Sequence, residues 1–245
     1  MPTLEKVHYS ELLPHEFRVR LADRALGWLP LGTLEWHGEQ NPLGADSILS
    51  QGLFERAARR FGGIVFPPLF LGPDRIKPLD DGRTLVGMDY ADVTTPHRQL
   101  DGSCYRIGEG LFLSMLEAVF QQARRAGFKA MVADGHGPSR WALGRHAEHF
   151  ENEFDLKIVS VQRDLATKGW LSQMDHAARN ETSLMMALRP ELVDLGRLSQ
   201  DRKVWPQGVG GQDPRDASAA YGEECLATSL KLLEEELKRR GILPG

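Results

Sequence analysis

Lys129-Ala130-Met131-Val132-Ala133-Asp134-Gly135-His136-Gly137-Pro138 decides the fold. Lys129 to Ala133 is a short apolar run of the kind that forms a strand buried on both faces. The turn-forming residues Asp134 to Pro138 stop it, and a helix is expected over about 139–151. Upstream, a helix rich in Leu, Phe and Met is expected over about 105–125, with Gly127 as its stop signal. Downstream, Ile158 to Val161 reads as the next strand.

The same alternation extends outward. Residues 26–32, Leu-Gly-Trp-Leu-Pro-Leu-Gly, read as a short buried strand. Leu49, Leu53, Phe54 and Ala57 share one helical face over 47–60, with Asp46 where an N-cap would sit. Ile64-Val65-Phe66 reads as a strand stopped by Pro67-Pro68, and a last helix over about 222–240 is amphipathic through Leu226, Leu230, Leu233 and Leu237. Short apolar strands alternating with helices imply an α/β fold, a three-layer α/β/α sandwich with a mostly parallel central sheet. Ligands in such folds gather beyond the carboxyl ends of the strands, where Glu35, His37 and His136 fall.

No linker or charge block divides the 245 residues, so one domain over 1–245 is expected. The net charge of −4 is spread through the chain with no basic tract, which argues against nucleic acid and anionic membranes as partners. The basic clusters Arg59-Arg60, Arg124-Arg125 and Lys238-Arg239-Arg240 sit near expected helix ends, where the helix dipole favours them. Cys104 and Cys225 lack a CxxC spacing, the first ten residues hold no apolar signal core, and no stretch approaches the ~20 apolar residues that span a bilayer. A cytoplasmic location is expected.

Four places carry residues suited to metal chemistry. In Glu35-Trp36-His37 an extended backbone would point the carboxylate and the imidazole to one side, though a solvated pair reads the same way. Asp46 suits a helix cap or a ligand, and one carboxylate can serve as both. His136, between two glycines after a strand, suits a ligand or an ordinary loop histidine. His176 and Glu181 lie in Met174-Asp175-His176-Ala177-Ala178-Arg179-Asn180-Glu181-Thr182-Ser183, which also reads as a helix start capped by Asn180. His146 and His149 lack a matching carboxylate pattern and read as a solvated helix face.

Taken in order, these segments resemble the creatininase (creatinine amidohydrolase) family. Leu31-Gly32-Thr33-Leu34-Glu35-Trp36-His37-Gly38 is similar to its opening metal motif, and Asn41-Pro42-Leu43-Gly44-Ala45-Asp46 to the continuation. Pro67-Pro68-Leu69-Phe70-Leu71-Gly72 resembles the strand-end segment that follows, Gly135-His136-Gly137 the central histidine motif, and His176 to Ser183 an HAGxxETS-like segment. Gly210 to Ala217 resembles its late GDPxxA-type loop.

The resemblance implies a creatininase-like fold, a homo-oligomer such as a hexamer, and two divalent ions per subunit, for which Zn, Mn or Fe suit the ligand types. It implies that Glu35, Asp46 and His136 hold one ion, and His37, Asp46 and Glu181 the other. Some members take the last ligand from the central motif. Here that place is Pro138, which cannot ligate through its side chain, so Glu181 is favoured. Three carboxylates and two divalent ions leave a charge of about +1, which favours hydroxide over water at the bridge.

The implied activity is metal-dependent hydrolysis of a small molecule, a bridging hydroxide attacking a carbonyl. The bond cleaved is expected to be a C–N bond of a cyclic amide or formamide-like substrate. Opening of a cyclic ketone of the inosose type, and a non-catalytic metal-binding protein, are the alternatives. His176, beside Glu181, is the expected proton-transfer residue, with Asp175 available to orient it. Gln40, Asp134, Pro138 and Arg179 depart from the family's usual residues, which alters the surroundings of the site and leaves the substrate open. Trp36 and Trp170 suit either a pocket wall or the core. The segment around His97 and Asp101-Gly102-Ser103 lies where the family has another active-site loop.

Overall fold

The structure, a computed structural model, describes residues 6–245. Residues 1–5, half of the segment read for an apolar leader, lie outside the described residues. In chain order the elements are α1 (Pro14–Asp23), β1 (Leu26–Leu31), α2 (Ala45–Phe61), β2 (Ile64–Val65), β3 (Gly72–Pro73), β4 (Ile76–Pro78), β5 (Thr84–Val86) and β6 (Arg106–Ile107). They continue with α3 (Glu109–Ala126), β7 (Ala130–Gly135), α4 (Gly137–Phe154), β8 (Lys157–Ser160), α5 (Val161–Asp164), α6 (Arg179–Leu188) and α7 (Ala219–Arg239).

The central sheet is parallel throughout, in the order β2-β1-β7-β8. Side chains of a strand alternate between faces, and here that alternation divides the core in two. Leu26, Trp28, Val65, Ala130, Val132 and Val159 pack on the face covered by α2, α6 and α7. Leu29, Leu31, Ile64, Met131, Ala133 and Ile158 pack on the other, under α3 and α4. The result is the three-layer α/β/α architecture expected from the apolar runs.

The differences lie at element ends and have local causes. β7 runs on through Asp134 and Gly135, because these two continue the parallel register opposite Pro30 and Leu31 of β1. α4 therefore starts at Gly137, immediately after His136, with Pro138 in the first turn, where its missing N–H costs no helical bond. α3 starts at Glu109, since Arg106 and Ile107 pair with Gly72 and Pro73 as a short parallel ladder. That ladder closes an excursion over 66–107 that also holds the antiparallel β4–β5 hairpin. α1 has no counterpart in the sequence reading. It starts on Pro14, and the Glu16 carboxylate accepts from the Leu13 N–H at 2.7 Å.

Candidate metal centre

The site forms where β1 and β7 end side by side. Gly135 makes their close approach possible: its φ is +147°, and a Cβ there would stand 1.9 Å from the Leu31 carbonyl oxygen. His136, the next residue, is thereby delivered beside the segment that leaves β1. Along that segment Glu35 and His37 turn toward the site. Trp36, between them, turns away, and its indole N–H donates to the Gln207 carbonyl at 2.8 Å.

Asp46 joins them from α2, but not as a helix cap. Gly44 holds the N-cap position without a side-chain bond, and Asp46 lies inside the first turn. Its carboxylate instead faces two imidazoles, with Oδ2 3.0 Å from His136 Nδ1 and Oδ1 3.5 Å from His37 Nε2. Glu181 enters from the first turn of α6, with Oε2 3.8 Å from His37 Nε2. Asn180 is not the cap of that helix either. The Asp175 carboxylate accepts from the N–H groups of Asn180 at 2.7 Å and Glu181 at 3.1 Å, while Asn180 Oδ1 accepts from Met174 N–H.

Two triads result, Glu35–Asp46–His136 and His37–Asp46–Glu181, each with ligand-capable atoms within 4.8 Å of one another. A third combination, Glu35–His37–His176, meets the same criterion. The five residues of the first two triads are buried.

The imidazoles test whether ions fit here. A carbonyl oxygen only accepts, so the ring nitrogen facing one must carry the proton. His37 Nδ1–H donates to the Glu35 carbonyl at 3.0 Å, and His136 Nε2–H donates to the Pro73 carbonyl at 3.2 Å. In each ring the remaining nitrogen faces the carboxylates, the arrangement typical of ligating histidines. His37 Nε2 makes no hydrogen bond among the described residues. A buried ring nitrogen that faces two carboxylates without a hydrogen bond is a poor protein contact and a good place for a cation, so the donor set fits divalent metal.

The charges agree. Burial pushes the Glu35 carboxyl up to about 7 and that of Glu181 up to about 8, against the pull of the neighbouring histidines. Burial also opposes charge on His37 and His136, yet the adjacent carboxylates, Asp46 foremost, raise them to about 10 and about 9. Protons thus take the place that divalent cations would fill.

His176 differs. Burial and the nearby charge of His37 lower it to about 3, so the ring is neutral. Its Nε2–H donates to the Trp36 carbonyl at 2.8 Å, leaving Nδ1 as the acceptor, and the ring lies 4.5 Å from that of His37. Asp175 does not orient it, being occupied at the start of α6. The His176 backbone is instead braced by a two-bond bridge to Gly210, within the late loop singled out in the sequence.

A cleft of about 380 Å³ opens onto the cluster. Its walls include residues that the sequence reading did not single out. Asp74, Arg75 and Met88 come from the 66–107 excursion, Trp141 from α4, and Gln173 from the segment before His176. Gly87 belongs to this wall, since a Cβ there, at φ +54°, would come 2.2 Å from Asp74 and 2.8 Å from Glu35. The only sequence cue to Asp74 is its place in Gly72-Pro73-Asp74, a turn signal just after a strand-end motif.

Trp36 and Trp170 are packed inside, and Arg179 lies over the Tyr221 ring at 4.3 Å. His97 is exposed and the Ser103 hydroxyl accepts from the Trp36 N–H, so that loop braces the opening motif from outside. Gln40 donates to the Ala177 carbonyl at 2.6 Å, tying the opening loop to the segment that holds Glu181. His146 and His149 lie outside the three candidate metal groups found among the described residues.

The creatinine amidohydrolase family model matches residues 10–78 and 88–237. The chain belongs to the creatininase family. Residues 79–87, which hold the hairpin turn, β5 and Gly87, interrupt the match. A creatinine amidohydrolase of Pseudomonas putida is 28% identical over 214 residues, 79% of this chain and 76% of that protein. A mutant creatininase complexed with creatine superposes with a TM-score of 0.72 at 21% identity, covering 98% of this chain and 100% of its own. The manganese form of creatininase gives 0.70 at 22%, covering 96% and 98%. The creatininase fold is thus present across the described chain, and family membership makes this a metal-dependent amidohydrolase by type. No helix among the described residues is long and apolar enough to cross a membrane.

Proposed function

We propose that this creatininase-family hydrolase cleaves a carbon–nitrogen bond in a small cyclic amide, with two divalent ions at the cluster. The observation that carries the reading is the pair of triads sharing Asp46, whose imidazole tautomers are both set by backbone carbonyls. Glu35, Asp46 and His136 would hold one ion, and His37, Asp46 and Glu181 the second. Bound there, such ions supply a water acidic enough to ionise near neutral pH and polarise a carbonyl oxygen.

The chain's own groups do the rest. The Glu181 carboxylate is fixed by the Ala177 N–H at 2.7 Å, which holds its oxygens toward the cluster. His176, its Nε2–H tied to the Trp36 carbonyl, presents Nδ1 to take up a proton at the cleft and deliver it to the leaving nitrogen. The buried setting keeps bulk water from levelling these charges. A relative named as a creatinine amidohydrolase supports a small nitrogenous ring as substrate class, and the creatine held by a mutant creatininase is the ring-opened form of such a molecule.

Purified with divalent metal present, the protein should hold two ions per chain and open cyclic amides. Fewer than one tightly held ion per chain would sink the dinuclear model. Glu35→Gln should release one ion and abolish turnover with the fold intact. Turnover of an inosose in place of every amide tested would move the assignment to carbon–carbon cleavage by the same site.

A further inference from the structure

Gln173 occupies an unusual position. It is a non-glycine residue at φ +56°, a left-handed conformation that side chains seldom adopt. It is buried, at 7% exposure, in the wall of the cleft. Neither its amide nitrogen nor its amide oxygen has a hydrogen-bond partner among the described residues. Buried polar groups are almost always paired, so a carboxamide with both ends unpaired in a cleft wall points to a partner that is not protein.

The backbone around it is clamped. Arg140 donates to the Gln173 carbonyl at 3.2 Å and to the Ser172 carbonyl at 3.3 Å. Its own charge is met by Asp134, 2.6 Å from Nε, at the end of β7. Asp134, which departs from the family's usual residue, thus anchors the arginine that holds Gln173 in its strained conformation. Strain of this kind persists where the surroundings enforce it, and it clusters at ligand-binding positions.

We propose that Gln173 is a specificity-determining residue that reads one N–H/C=O edge of a ring amide, with Arg140 as its positioning residue. This rests on the cyclic-amide reading above. A carboxamide offers one donor and one acceptor side by side. A trans amide points its N–H and C=O in opposite directions, and open-chain secondary amides are overwhelmingly trans. A small ring forces the cis arrangement, placing both groups on one edge. Among secondary amides only the ring form can pair with Gln173 at two points, which selects rings over open-chain secondary amides of the same size.

The test uses the metal-loaded full chain and measures calorimetric affinity for 2-pyrrolidinone, N-methyl-2-pyrrolidinone and the open-chain N-methylacetamide. The native protein should prefer the first over the other two by about tenfold or more, as two neutral hydrogen bonds allow. Gln173→Leu should flatten both preferences to about twofold, and the nearly isosteric Gln173→Glu, which keeps the acceptor and loses the donor, should flatten the preference over the open-chain amide while keeping that over the N-methyl lactam; both variants should retain both ions. Arg140→Lys should weaken the same preference with metal content unchanged, which a purely structural loss would not do selectively. A native preference that survives in both Gln173 variants overturns the role of Gln173 and leaves the cyclic-amide reading standing. A metal-loaded native protein that binds none of the lactam overturns both.

Discussion

α4 carries an ionic cluster near each end, and the two follow opposite rules. Beside its first turn, His136 meets Glu35 and Asp46, with His37 and Glu181 next to them. Three buried carboxylates gather there, and among the described residues no Lys or Arg pairs with any of them. Near its last turn, the Glu151 carboxylate accepts from Arg163 at 2.9 Å, from Arg240 and from the Ile158 N–H at 2.9 Å. Asp164 closes that network on Arg163. The second cluster contains its own counter-charges and is complete as a structural element. The first withholds them, which is sensible only if cations come from outside.

The sharpest way to break this contrast is to remove the carboxylate common to both triads. Asp46→Asn should lower metal content below one ion per chain and reduce turnover by roughly a thousandfold or more. Two ions retained in that variant would show that Asp46 is not shared. His176→Ala comes next, with kcat lower by about a hundredfold to ten-thousandfold and the ion count unchanged. A drop in ion count would instead favour the third combination, Glu35–His37–His176, as a metal group. Chelation follows. Each ion present at a hundred times its Kd stabilises the fold by about 2.7 kcal/mol, so removing two should lower Tm by roughly 10 °C or more. A melting curve indifferent to chelator would put the two clusters on the same footing.

The contrast also explains what could be read from sequence. β1 and β7 are buried on both faces, so their apolar runs announce them without a partner in view. Glu35, His37 and His136 follow those strands at once, which makes their convergence at the strand ends a topological consequence. The bounds of α3 and β7 depend on pairing with distant residues, Gly72 and Pro73 in one case and Pro30 and Leu31 in the other, which local periodicity does not carry. The cleft walls were hidden for the same reason. Asp74 and Met88 reach the site through a two-residue ladder that leaves no periodic trace. Gln173 gains its significance from Arg140, thirty-odd positions earlier. α1 leaves no such trace because only Glu16 of its residues is buried, so no broad apolar stripe marks it.

The weakest effect belongs to the self-neutralised cluster, and it should be purely structural. Glu151→Gln leaves Arg163 and Arg240 with reduced partners in a partly exposed site, at a cost of about 1–2 kcal/mol, between the values for surface and buried pairs. Tm should fall by roughly 3–6 °C, with ion content and kcat unchanged. The same pair predicts the acid limb of stability. Burial opposes the charge on Glu151, but Arg163, Arg240 and the Ile158 N–H outweigh it and hold its pKa below the usual 4.5. The unfolded chain therefore binds a proton at higher pH than the folded one does. Stability from Glu151 is complete above about pH 4.5 and is lost as the pH falls through the folded value. In chelator, where metal linkage is absent, native protein and Glu151→Gln should converge in Tm as the pH is lowered below that point. If they remain separated by the neutral-pH difference, the stabilisation comes from packing of the side chain and not from its charge. The cluster would then no longer be the ionic counterpart of the metal centre.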